Sequence, residues 1–149
     1  MKRLGVVHIV EINDKIYQKS LANKEIEYSG KDEYTTSIDK IKKLVKSAPK
    51  KDLVDTATYY LKNIILLQAF PNANHRTAIC AVELFLKMNG MVLKYTLKEA
   101  LEFHRTSFSI QSRVYGSLEA RGTTVLNEGQ NEFSEFCRKF LELHLTKGD

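Results

Sequence analysis

The sequence predicts a compact all-α domain with, at most, one small β-hairpin flap, and three observations carry that prediction. Apolar residues recur at helical spacing through most of the chain, as in Val54, Ala57, Leu61, Ile64 and Ile65, and again in Phe133, Phe136, Cys137, Phe140 and Leu141. Residues that favour helix starts stand where these patterns begin, namely Ser37, Asp52 and the pair Thr96 and Glu99. The 149 residues hold no internal repeat, low-complexity tract or linker, which fits one domain over 1–149 with a single core.

In chain order, Val6, Val7, Ile9, Val10, Ile12, Ile16 and Tyr17 open the pattern. The first of these could form a short strand, but the later spacing predicts a helix over roughly 9–20. Residues 21–35 are polar, with a turn signal at Ser29-Gly30-Lys31-Asp32, and are the expected place for a loop or small hairpin. Ile38, Ile41, Leu44 and Val45 form a second helix behind Ser37, stopped at Ala48-Pro49 because a residue before proline avoids the helical region. Asp52 caps a third helix with a wide apolar face, from which Thr58, Lys62 and Asn63 are expected to project. That helix ends near Phe70-Pro71. A fourth runs from about Asn74 to Met88, closed by Asn89-Gly90, where glycine permits a left-handed cap cheaply. Met91-Val92-Leu93 reads as extended. Thr96 and Glu99 form a capping box for a helix to about Ser109, with a weaker helix over 110–120. Arg121-Gly122-Thr123-Thr124 breaks the pattern, and the stripe from Phe133 makes a final helix to about Leu145.

Composition narrows the class. Cys80 and Cys137 sit inside apolar helical patterns and read as reduced, buried side chains of a cytoplasmic protein. Their spacing fits no metal motif, and the scattered His8, His75, His104 and His144 give no metal cluster either. Lys2 and Arg3 precede only a brief apolar stretch broken at Glu11, so no secretory leader is expected. No apolar run approaches the roughly 20 residues that span a bilayer, so no membrane partner is expected. The net charge is +5, with cations clustered at Lys40, Lys42, Lys43, Lys46, Lys50 and Lys51. Such a face attracts phosphates or an acidic partner, or is simply a solvated helix surface. The arginine and aromatic interleaving that would argue for nucleic acid is missing.

The chain is organised around Leu66-Leu67-Gln68-Ala69-Phe70-Pro71-Asn72-Ala73-Asn74-His75-Arg76-Thr77-Ala78. One apolar helix leads into this stretch and another leads out. Phe70 is placed to anchor the loop in the core. The backbone N–H groups from about Asn74 to Thr77 have no helical acceptor and, with the planar fork of Arg76 one turn in, provide the elements of an anion site. The alternative from spacing alone is a helix–helix connection whose polar residues only cap the second helix.

This stretch resembles the signature of the Fic/Doc family, His-x-Phe-x-(Asp/Glu)-(Gly/Ala)-Asn-(Gly/Lys)-Arg. It is most similar to the death-on-curing (Doc) branch, whose loop ends Ala-Asn-Lys-Arg-Thr-Ala where this chain reads Ala73-Asn74-His75-Arg76-Thr77-Ala78. The likeness extends through Ala57-Thr58-Tyr59-Tyr60-Leu61 and Phe85-Leu86-Lys87-Met88-Asn89-Gly90. It covers residues 52–93 well, the N-terminal part faintly and the last third poorly. The resemblance implies a helical fold that grips ATP or another nucleotide at this loop. Fic members mostly transfer AMP to a protein hydroxyl, and Doc-type toxins transfer a phosphate and are neutralised by an antitoxin. In both, a histidine serves as general base and an acidic residue holds Mg²⁺. Carried onto this chain, Asn74 and Arg76 fall on the phosphate-holding positions and Phe70 on the anchor. Gln68 stands at the catalytic histidine and cannot take up a proton at neutral pH. Asn72 stands at the acidic position, where a neutral amide is a weaker Mg²⁺ ligand than a carboxylate. His75 replaces the Doc-type lysine, and Ile79 stands where AMP-transferring members have a second arginine.

The resemblance therefore implies a member with impaired or repurposed chemistry that keeps a phosphate-binding loop formed by Asn72, Ala73, Asn74, His75, Arg76 and Thr77. Two alternatives stay open: an active transferase using another base, such as His75 or a residue of 21–35, and a non-enzymatic module in the manner of a toxin–antitoxin pair. In addition, Thr124-Val125-Leu126-Asn127-Glu128-Gly129 follows the pattern (Ser/Thr)-x-x-x-Glu-(Gly/Asn), which in Fic proteins marks an inhibitory helix. The resemblance would pair Glu128 with Arg76. The residues alone favour a surface loop there, because Gly122 and Gly129 disfavour a helix.

Overall fold

Helix α3 is the axis about which the other elements are arranged in the computed structural model, which describes residues 1–148. The helices are α1 (Val6–Ala22), α2 (Ile38–Lys46), α3 (Leu53–Leu67), α4 (Asn74–Met88), α5 (Leu97–Tyr115) and α6 (Glu132–His144). A 3-10 turn (Thr123–Asn127) lies between α5 and α6. Strands β1 (Met91–Leu93) and β2 (Leu145–Lys147) pair antiparallel, with Val92 opposite Thr146. The fold is thus all-α with one small antiparallel pair. That pair joins segments far apart in sequence, and the polar segment before α2 forms turns. No described helix is long and apolar enough to cross a membrane.

The predicted caps form. Asp52 accepts a hydrogen bond from the Asp55 N–H at 2.8 Å and starts α3. Thr96 and Glu99 bond reciprocally, at 3.1 Å from the Glu99 N–H to Thr96 Oγ1 and at 2.8 Å from the Thr96 N–H to Glu99 Oε1. Gly90, with φ of 80°, takes the left-handed turn after α4.

Three expectations change. Helix α1 begins at Val6, so the opening is not a strand, and Ile9 and Asn13 form its buried edge. Helix α5 does not break near Ser109. Phe103, Ser107, Ile110 and Gln111 continue one buried stripe, and Gly116 (φ 77°) ends it. The final helix does end near Leu145 as expected, and that segment continues as β2, paired with β1. Lys62 and Asn63 do not project from α3: they are 5% and 2% exposed. The reason is tertiary, since α4, α6, α2 and the 3-10 turn all pack on α3 and leave it little solvent-facing side.

The core contains Ile9, Leu44, Leu61, Ile65, Val82, Phe85, Phe133 and Leu141. Tyr60 is fully buried, and its hydroxyl accepts from the Leu4 N–H at 3.2 Å. The aromatic stripe of α6 packs inward, with Phe136 stacked on Phe103 at 4.9 Å between ring centroids. Cys80 and Cys137 are unpaired thiols, and burial raises the pKa of both.

Candidate functional site

The bend between α3 and α4 is held from several sides. Helix α3 terminates at Gln68, which adopts the left-handed conformation (φ 44°, ψ 53°). The carbonyls that a helix end leaves without partners are taken up by distant segments. Leu66 O accepts from the Arg121 N–H at 2.9 Å, and Ala69 O accepts from the Ser37 N–H at 2.7 Å. Leu67 O accepts from Lys40 Nζ at 2.8 Å, which places a cation at the negative end of the helix dipole. Lys40 is therefore part of the bend and not of a free basic face, and its burial lowers its pKa.

Beyond Gln68 the chain turns inward through Ala69 and Phe70, which are 7% and 6% exposed. Phe70 is the anchor that the sequence predicted. Asn74 closes the loop from the other side: its Oδ1 accepts from the Phe70 N–H, and its Nδ2 donates to Phe70 O, both at 3.1 Å. Asn72 Oδ1 accepts from the Ala73 N–H at 2.6 Å, and its Nδ2 donates to Ser29 Oγ at 2.8 Å. Ala73 is left-handed as well (φ 61°), and Gln68 and Ala73 are the only described non-glycine residues with positive φ. Unfavourable backbone conformation is thus concentrated at the two ends of this one loop.

Asn13 of α1 secures the arrangement. It is 2% exposed. Its Nδ2 donates to Asn72 O and to Thr77 Oγ1, each at 3.0 Å, and its Oδ1 accepts from the Tyr28 hydroxyl at 2.8 Å. Every hydrogen-bonding capacity of that amide group is used at the bend, save one acceptor lone pair.

The first intrahelical bond after Ala73 is Thr77 N–H to Ala73 O, at 2.9 Å. The N–H groups of Asn74, His75 and Arg76 therefore precede the helical ladder. Those three residues are part of the lining of a cleft of about 350 Å³, with Gln68, Asn72, His104, Phe108 and Leu118 among the others. No aspartate or glutamate lines it. Arg76 Nη2 donates to Glu27 O at 2.6 Å, so the turn segment before α2 holds the guanidinium at the cleft wall. Gln68 Nε2 donates to Leu118 O at 2.7 Å across the opposite side.

His75 turns away from the loop toward α5. Its Nε2 lies 2.9 Å from Ser107 Oγ, and its ring stacks on His104 with centroids 4.3 Å apart and planes 9° apart. Burial, reinforced by the neighbouring His104, pushes the His75 pKa down to about 3. Burial and then the charge of Arg76 lower that of His104. Both imidazoles are consequently neutral at pH 7, and the cleft carries one fixed charge, Arg76.

The sequence-derived residues divide accordingly. Gln68, Asn72, Ala73, Asn74, His75 and Arg76 all border the cleft. Thr77 does not: it is fully buried, and its hydroxyl accepts from Asn13. The side chain of Asn74 is committed to the loop itself and that of Asn72 to the loop and Ser29, which leaves backbone N–H groups and Arg76 as the available donors. Glu128 does not pair with Arg76. It accepts from the Tyr115 hydroxyl at 3.1 Å and from Asn131 Nδ2 at 3.2 Å, because the 3-10 turn that precedes it packs against α3 and α2. Asn13 and His104 were not identified from sequence. A polar residue four positions after Ile9, on the inward edge of α1, was the available signal for Asn13. No local signal brings His104 to a loop 30 residues away. The donor set does not fit Mg²⁺, since carboxylates are missing from the lining and Asn72 Oδ1 is occupied by the Ala73 N–H. Comparison with protein-family models, with curated proteins and with solved structures found no match to this chain.

Proposed function

We propose that this protein is a Fic/Doc-like domain in which transferase chemistry is impaired and phosphate recognition is kept, so that it binds a nucleotide or a related anion at the α3–α4 bend. The observation that carries the reading is the cleft itself: Arg76 and the free start of α4 stand on a wall without any carboxylate. An anionic group there meets a positive helix end and a planar guanidinium, the combination suited to phosphate oxygens. Gln68, at the position where the resemblance expects a general base, offers an amide that donates to a carbonyl and cannot accept a proton. The residues present also do not suit a divalent cation, so binding is expected to be independent of Mg²⁺.

Calorimetric titration with ATP, ADP and GTP, with and without Mg²⁺, tests the reading. Saturable binding that Mg²⁺ leaves unchanged, and that Arg76→Ala weakens by roughly 10- to 100-fold, is the expected result, given about 1.5–3 kcal/mol for a hydrogen bond to a charged group. No heat from folded protein at millimolar nucleotide overturns it. A second reading, an active transferase with a different base, draws on one feature: His104 is a neutral imidazole lining the same cleft. Label transferred to protein from ATP carrying radioactive phosphorus at either the α or the γ position, and lost in His104→Asn, would select that reading.

A further inference from the structure

Anion recognition by Arg76 and the start of α4 uses one part of the cleft, and the part supplied by α5 is aromatic. His75, His104 and Phe108 form a single cluster. His104 lies parallel to His75 at 4.3 Å between centroids, and Phe108 is tilted against both, 5.0 Å from His75 and 4.7 Å from His104. His104 and Phe108 stand one turn apart on α5 and so share a face of it. The cluster runs from buried His75 through half-buried His104 to Phe108, which is 39% exposed. Phe108 is the one exposed residue among the seven phenylalanines of the chain. Leu118, also exposed, lines the same cleft. Wet aromatic and aliphatic surface beside an anion site is what a ligand with a charged end and an apolar end would cover.

We propose that His104 and Phe108 form a base-stacking subsite, so that a nucleotide with its phosphate on Arg76 and the first N–H groups of α4 lays its nucleobase on the aromatic wall of α5. The inference rests on the reading of the bend as a nucleotide site and adds that the base is recognised as well as the phosphate. Three features select a flat aromatic ring. The wall is itself built of rings in contact, and the parallel His75–His104 pair is the same face-on contact that a base makes. The α5 part of the lining offers no charged group, hydroxyl or amide, so it has nothing to hold a second phosphate and recognises through ring faces. Arg76 and His104 are also neighbours: both line the cleft, and the guanidinium charge disfavours protonation of the imidazole. Phosphate donor and ring are thereby within reach of one nucleotide. Stacking of this kind tolerates different bases, because every base has a π-face.

The test compares AMP and GMP with ribose 5-phosphate, which carries the same phosphate and sugar without a base, by calorimetric titration of the full chain. AMP and GMP are expected to bind with similar affinity, about 5- to 100-fold tighter than ribose 5-phosphate. Phe108→Ala should remove that advantage and leave ribose 5-phosphate binding unchanged, and Phe108→Trp should keep it. In proton NMR the adenine H2 and H8 signals of AMP should move upfield on binding to the native protein, and not with Phe108→Ala. If the alanine variant fails to fold, the comparison of AMP with ribose 5-phosphate on the native protein decides alone. Equal affinity for AMP and ribose 5-phosphate, or AMP binding unchanged in folded Phe108→Ala, would overturn the stacking subsite while the bend remains an anion site. Binding of neither ligand to the native protein would overturn both.

Discussion

Lowering the pH from 7.5 to 4.5 should destabilise this protein through His75, and the magnitude follows from its surroundings. Burial against α5 holds the folded-state pKa at about 3, against the ordinary 6.5 that the unfolded chain regains. Above pH 6.5 neither state binds the proton, and stability is flat. As the pH falls below 6.5 the unfolded state takes up a proton that the folded state refuses, so stability is lost progressively down to about pH 3. Each pH unit in that window is worth about 1.36 kcal/mol, so roughly 2–3 kcal/mol is lost by pH 4.5. That is a large share of the ~5–15 kcal/mol total of a typical domain. The assay is urea unfolding followed by circular dichroism at both pH values, for the native protein and for His75→Gln. Glutamine can still bond Ser107 Oγ but does not titrate. His104, also lowered, is present in both proteins and cancels in the comparison. The native protein should lose about 2–3 kcal/mol more than the variant. Equal losses in the two proteins would refute the placement of a neutral, buried imidazole between α4 and α5.

Two further outcomes are expected. Asn13→Ala removes the amide that joins α1 to Asn72 and Thr77, and also removes the acceptor of the Tyr28 hydroxyl. Three lost hydrogen bonds at about 0.5–1.5 kcal/mol each predict a cost of roughly 2–4 kcal/mol in chemical denaturation, with weaker nucleotide binding at temperatures where the variant is folded. Anion binding in the cleft should tighten as the pH falls toward 6, because a bound phosphate favours the protonated form of His104 whereas Arg76 now opposes it. Calorimetry in two buffers of different ionisation heat should show proton uptake on binding at pH 6, absent in His104→Asn.

What could be read from the chain was local. The spacing of Val54, Ala57, Leu61, Ile64 and Ile65 announces α3, and Asp52 and Thr96 with Glu99 announce two helix starts, because caps and periodicity involve residues within one or two turns of each other. The bend was legible for the same reason: Phe70, Pro71 and the asparagines lie between two apolar runs, and Phe70 is buried as expected. The length of α5 was misread near Ser109 because Ser107 and Gln111 are polar, yet they lie on the buried stripe where His75 receives them.

The sequence by itself determined an all-α chain, the starts of α2, α3, α4 and α5, and a loop with an arginine one turn into the helix that follows it. Only the tertiary structure decided what those groups meet. Asn13 of α1, Ser37 and Lys40 at the start of α2, and Arg121 reach the bend from three separate segments, and His104 reaches the cleft from α5. It also turned Lys62 and Asn63 from expected surface residues into the lining of a cavity, because α6 and the 3-10 turn close over that side of α3. The physical reason is the same throughout. Periodicity records which residues share a face of one helix, whereas solvation, charge balance and pKa depend on which other elements cover that face.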